Sequence, residues 1–142
     1  MEQVLIGKQY FLVIDAGSTG TRMHVFEFQR SDLEVRSVLS EKFMEVKPGL
    51  SSYDSDPVQA AESLRPLMDL ALQSVPSSLH SCTGLILRAT AGMRILPSTS
   101  ADLILKECWY LLAKEYPFPL LGRDAVTIMT GSNEGITAHC CS

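Results

Sequence analysis

The sequence has no run approaching the ~20 apolar residues that a membrane-spanning helix needs, so no membrane segment is expected in this stretch. It has no C-x-x-C pair and no histidine at finger-like spacing, which argues against a structural zinc site. A G-x-x-x-x-G-K-[ST] loop is missing, and so is a G-x-G-x-x-G turn; the P-loop and dinucleotide-binding readings fall with them. Basic charge is in short supply. Twelve Lys and Arg stand against sixteen Asp and Glu, for a formal charge of −4, and they are scattered along the chain, so a nucleic acid polymer is not an expected partner. Residues 1–9 lack the charged start and apolar core of a signal peptide, and Asn133, the one asparagine, is in no N-x-[ST] acceptor. The compartment is left open by these absences.

The four cysteines, Cys82, Cys108, Cys140 and Cys141, fix no disulfide framework by their spacing. Cys82 and Cys108 fall in or beside apolar elements, where a free thiol acts as a small hydrophobe. What the chain does have is core material: 46% hydrophobic against 20% charged residues over 142 positions suits one packed domain.

The chain is organised around residues 10–28, YFLVIDAGSTGTRMHVFEF. Phe11, Leu12, Val13 and Ile14 suit a buried strand, Met23, Val25, Phe26 and Phe28 suit its partner, and Gly17 and Gly20 bracket the connection. The glycines are expected to supply positive φ. Such a turn can gather backbone N–H groups and the hydroxyls of Ser18, Thr19 and Thr21 into one concavity suited to phosphate oxygens. Asp15, at the end of the first strand, would face that concavity. An acid facing phosphate calls for a divalent cation between them, so Ca²⁺ or Mg²⁺ is implied. A structural hairpin with ordinary turn chemistry is the competing reading.

Residues 33–47 continue as a third strand of weaker alternation, completing a meander. Residues 47–57 read as a loop rich in turn formers. Asp56 suits a helix cap and Pro57 the first helical position, after which Ala61, Leu64, Met68, Ala71, Leu72 and Val75 recur at helical spacing. Pro66 should kink or divide that helix. Residues 83–89 (TGLILRA) form a short apolar strand, and residues 101–115 a second helix with Leu103, Ile104, Cys108, Leu111 and Leu112 on one stripe and Ser98 or Ser100 as cap. Pro117 and Pro119 stop it. Residues 125–129 form a fifth strand, followed by a turn carrying Glu134. Asp15, Thr90 and Glu134 thus all follow strands, and such strand ends converge on one edge of an α/β sheet, where ligands bind.

Three stretches, DAGSTGTR (residues 15–22), RATAGMRILP (88–97) and GSNEG (131–135), resemble in identity and order the apyrase-conserved regions of the nucleoside triphosphate diphosphohydrolases, or E-type NTPases. KPGLSSY (47–53) is similar to the intervening loop of the soluble nucleoside diphosphatase and plant apyrase branches. The resemblance implies a ribonuclease-H-like lobe of the actin-like ATPase superfamily: a three-strand meander, then helix, strand, helix, strand. It implies a two-lobed parent that cleaves terminal phosphates from nucleoside di- and triphosphates with Ca²⁺ or Mg²⁺, by direct water attack and without a phosphoenzyme.

Carried residue by residue, the resemblance gives Gly17, Ser18, Thr19 and Gly20 to phosphate and Asp15 to the metal through water. It gives Thr90 to the positioning of the attacking water and Glu134 to general-base catalysis. Arg22 and Arg94 are expected to support loops, with His24 and His139 as bystanders. The likeness stops near Ala138, so residues 1–142 are expected to be a partial N-terminal lobe, truncated before its last helix, with the second lobe absent. Such a chain is expected to be inactive alone and, through an uncovered edge at residues 125–129, to self-associate. A noncatalytic nucleotide-binding or interaction fragment is the alternative, and a sugar-kinase-like or actin-like domain, suggested by the glycine loop alone, a third. The resemblance places the parent in the secretory pathway or at the cell surface.

Overall fold

Side chains alternate between two environments along residues 7–16, and that alternation sets the architecture. The computed structural model describes residues 7–31 and 34–128. In β1 (Gly7–Ala16), Leu12, Ile14 and Ala16 are fully buried while Phe11, Val13 and Asp15 on the opposite face are only half-buried. β2 (Thr21–Ser31) and β3 (Glu34–Val46) follow as antiparallel neighbours, giving the expected meander. β4 (Gly84–Ala89) and β5 (Val126–Ile128) then add in parallel on the other side of β1. The sheet order is β3-β2-β1-β4-β5, so β1 is central and β5 forms an edge of the described sheet. Met129 and the residues after it, including Glu134 and His139, lie outside the described residues.

The helices lie where the periodicity puts them. α1 (Pro57–Glu62) opens on Asp56, whose carboxylate accepts a hydrogen bond from the Gln59 N–H at 3.2 Å. α2 (Arg65–Ser74) is separated from it, because Pro66 fits only the first turn of a helix. Leu64, Leu67, Met68 and Ala71 are completely buried, and each large apolar side chain so buried contributes about 1.5–3 kcal/mol. A single turn, α3 (Ala91–Arg94), follows β4, and α4 (Ser98–Glu115) packs against α1.

Two details of α4 differ from expectation. Neither Ser98 nor Ser100 caps it: Pro97 occupies that position in an extended conformation, and its carbonyl accepts the Ala101 N–H at 3.0 Å. The buried stripe is Ala101, Ile104, Cys108, Leu111 and Leu112, which leaves Leu103 51% exposed. Helix phase, and not apolarity alone, decided which leucine went inside. Cys108 is free, and burial pushes its thiol pKa up to about 12. Cys82, read as a free thiol, is instead disulfide-bonded.

The core fills one face of the sheet, between Leu12, Ile14, Met23, Val25, Leu85 and Leu87 and the helices. On the other face Phe26 and His24 stack with ring centroids 5.9 Å apart, and Phe43 meets His24 edge-on at 5.2 Å. Among the described residues no helix is long and apolar enough to cross a membrane.

Candidate active site

Parallel pairing brings the ends of β1, β4 and β5 level, with Ala16 opposite Ala89 and Ala89 opposite Ile128. The chain leaves β1 into a tight turn closed by the Gly17 N–H and the Gly20 carbonyl at 2.9 Å, with Ser18 and Thr19 exposed at its tip. It leaves β4 at Thr90, whose N–H and hydroxyl both donate to the Ala16 carbonyl, at 3.0 and 3.2 Å. Asp15, the hairpin and Thr90 therefore occupy one edge. Glu134 lies outside the described residues.

Register also fixes the surroundings of Asp15. Arg22 is its partner on β2 and Glu45 is the partner of Arg22 on β3. The guanidinium spans both acids, Nη1 lying 3.3 Å from Asp15 Oδ2 and Nε 3.3 Å from Glu45 Oε2. The charge of Asp15 is thus partly met by a cation of the same hairpin, a neutralisation that the sequence argument had left to a metal. Arg22 pairs with these two acids, and Arg94 is solvent-exposed.

The glycines serve a different purpose from the one expected. Neither Gly17 nor Gly20 has positive φ; among the described glycines that conformation belongs to Gly7 and Gly122. What occupies the space a Cβ would take is the tip of a neighbouring side chain. A Cβ at Gly17 would stand 2.9 Å from Arg22 Nη1, and one at Gly20 would stand 2.5 Å from Glu45 Oε2. From behind, Gly49 lies so near that its Cβ would fall on the Gly17 carbonyl oxygen. Thr21 is also misassigned by the sequence. It is fully buried on the core face and, among the described residues, its hydroxyl has no hydrogen-bond partner, so it does not join Ser18 and Thr19 in the concavity.

Beside Asp15 and Thr90 a groove of about 410 Å³ opens on the sheet face away from the core, lined by Val13, His24, Phe26, Glu41 and Arg88 as well. His24 Nδ1 lies 2.5 Å from Glu41 Oε2. His24, Glu41, Glu45 and Arg88 were not legible as site residues. Their signal is an alternation of two that places them on the face of Asp15, and it becomes readable only once the strand register is known.

A profile of the GDA1/CD39 (nucleoside phosphatase) family matches residues 5–140. The chain belongs to this family. Among its relatives, the guanosine-diphosphatase of Candida albicans is 47% identical over 129 residues, covering 91% of this chain and 21% of the relative. Ectonucleoside triphosphate diphosphohydrolase 6 of Homo sapiens is 43% identical over 129 residues, covering 91% of this chain and 26% of that protein. This family member thus spans about a quarter of the length of those relatives. The crystal structure of nucleoside triphosphate hydrolases from Neospora caninum superposes with a TM-score of 0.59 at 18% identity, over 89% of this chain and 29% of that one. The fold is an α/β lobe with a mixed five-stranded sheet, shared with that nucleoside triphosphate hydrolase structure.

Proposed function

We propose that residues 1–142 form one wall of an active site that hydrolyses terminal phosphates of nucleoside di- and triphosphates by metal-assisted water attack. The observation carrying this reading is the placement of Asp15, the hairpin of residues 17–20 and Thr90 on one edge, at the ends of neighbouring parallel strands. Ser18 and Thr19 present hydroxyls and main-chain N–H groups at an exposed tip, a suitable lining for phosphate oxygens. Because Thr90 gives its hydroxyl proton to the Ala16 carbonyl, its oxygen is left as an acceptor. It can accept a hydrogen bond from the attacking water, which keeps that hydrogen, and so aim a lone pair at phosphorus. Glu134 is the assigned general base, receiving the water's other proton; a carboxylate within hydrogen-bond reach can do so.

Among the described residues no three His, Cys, Asp or Glu side chains cluster as a cation cage. A carboxylate beside hydroxyls, with one oxygen paired to Arg22, fits a hydrated hard cation that shares its coordination with water and phosphate. Asp15 would hold such a Ca²⁺ or Mg²⁺ through water. When bound, the cation would draw negative charge from the terminal phosphate.

The test is phosphate release from nucleoside di- and triphosphates by a protein containing this lobe, with Ca²⁺ or Mg²⁺ and with excess EDTA. Hydrolysis that stops on chelation is expected; undiminished release in EDTA would sink the metal assignment. The second reading is a noncatalytic nucleotide-binding or interaction module. The apolar side chains on the outer face and β5 at the edge of the described sheet suit self-association in that case. Nucleotide binding without turnover by residues 1–142, with concentration-dependent sizing, would favour it.

A further inference from the structure

Asp15, Arg22 and Glu45 form a row across β1, β2 and β3, directly beside the hairpin. One planar guanidinium meets the two acids through two different nitrogens, Nη1 and Nε, each at 3.3 Å. A lysine ammonium is a single point of charge and cannot reproduce that fork. The same two side chains are the atoms nearest the missing Cβ positions of the turn, Arg22 Nη1 at 2.9 Å from Gly17 and Glu45 Oε2 at 2.5 Å from Gly20. The row and the turn are therefore packed against each other, so that a methyl group at either glycine would have to displace the tip of Arg22 or Glu45.

We propose that Arg22 and Glu45 are positioning residues that clamp the hairpin and Asp15 into one unit, with Gly17 and Gly20 leaving the space in which the two side-chain tips lie. The proposal deepens, and rests on, the reading of the hairpin as a phosphate site. Holding Asp15 by Oδ2 leaves Oδ1 for a cation's water. The guanidinium also offsets the carboxylate charge that a phosphate approaching Ser18 and Thr19 would otherwise meet. Glu45 keeps the guanidinium flat against the turn, so it cannot swing outward to bind the nucleotide itself.

The experiment uses the 142-residue chain labelled with ¹⁵N, without ligand and then with Mg²⁺ and guanosine diphosphate. Arg22→Lys retains the charge and loses the fork. It is expected to shift the amide resonances of residues 17–20, to lower the thermal midpoint by roughly 3 °C, and to raise the Kd for the Mg²⁺–nucleotide about tenfold. Gly20→Ala should move the same amides. Adding Glu45→Ala should reverse part of that movement, because the obstructing carboxylate is gone. Glu45→Gln, which keeps the shape, gives a mild version of the Arg22→Lys spectrum if the harsher variants unfold.

Hairpin amides that ignore Arg22→Lys and Glu45→Gln, or a Gly20→Ala effect indifferent to Glu45, would overturn the clamp. A wild-type chain that binds no Mg²⁺–nucleotide while its hairpin still responds to Arg22→Lys would overturn the phosphate reading and leave the clamp standing.

Discussion

Thr90 and Ala16 are joined twice across the ends of β4 and β1, by the Thr90 N–H at 3.0 Å and the Thr90 hydroxyl at 3.2 Å, both donating to one carbonyl. The arrangement locks the start of α3 to the root of the hairpin. It also decides which way the Thr90 oxygen can act toward a third group.

Thr90→Ala is therefore expected to lower the thermal midpoint of the chain by roughly 3 °C, the shift for one lost hydrogen bond of about 1 kcal/mol. Thr90→Ser, keeping the hydroxyl, should stay near wild type. In a nucleotide-hydrolysing protein carrying this lobe, Thr90→Ala should reduce kcat with KM little changed. A rise in KM alone would place Thr90 in ground-state binding instead.

Glu134→Gln in that same protein should reduce kcat by roughly 10²-fold or more, the ordinary scale of general-base catalysis, while nucleotide binding is retained. The amide keeps the size of the side chain and cannot take up the water's proton. Turnover near that of the wild type would reassign Glu134 to a structural role.

Acid sensitivity is expected from Glu27. Lys8 Nζ lies 3.0 Å from its Oε2 and the Ser40 hydroxyl donates to its Oε1 at 2.8 Å. The Lys8 contact first, and then Ser40, hold its carboxyl below the ordinary value of 4.5. The unfolded chain thus binds the proton more readily, so the contribution is fully present above about 4.5 and is lost as pH falls through the depressed folded value. Urea unfolding across that range should show a shallower pH dependence for Glu27→Gln. The difference should stay below about 1 kcal/mol because the pair is at the surface. Identical slopes would remove Glu27 from the acid response.

Much of this fold was legible because local chemistry and global packing agree. Asp56 and Pro57 start a helix, Pro66 divides it, and the apolar runs of β1 and β4 have the length and composition of buried strands. The edge bearing Asp15 and Thr90 followed from the order of elements. What was hidden depends on neighbours remote in sequence. Glu45 looks like a solvated charge in a weak strand until register sets it beside Arg22. Thr21 and Thr19 look equivalent until the turn points one inward and the other to solvent. Leu103 and Ile104 are separated only by the phase of a helix whose start was displaced by Pro97.

The contact of Gly49 with the hairpin places backbone directly on backbone, close to the Gly17 carbonyl oxygen and the Gly20 nitrogen. The three atoms nearest a Cβ at Gly49 are all backbone. Rotamer hopping, the commonest fast motion inside a protein, therefore has no place at this seam. The root of the turn is braced by main chain, while Ser18 and Thr19 are exposed at its tip.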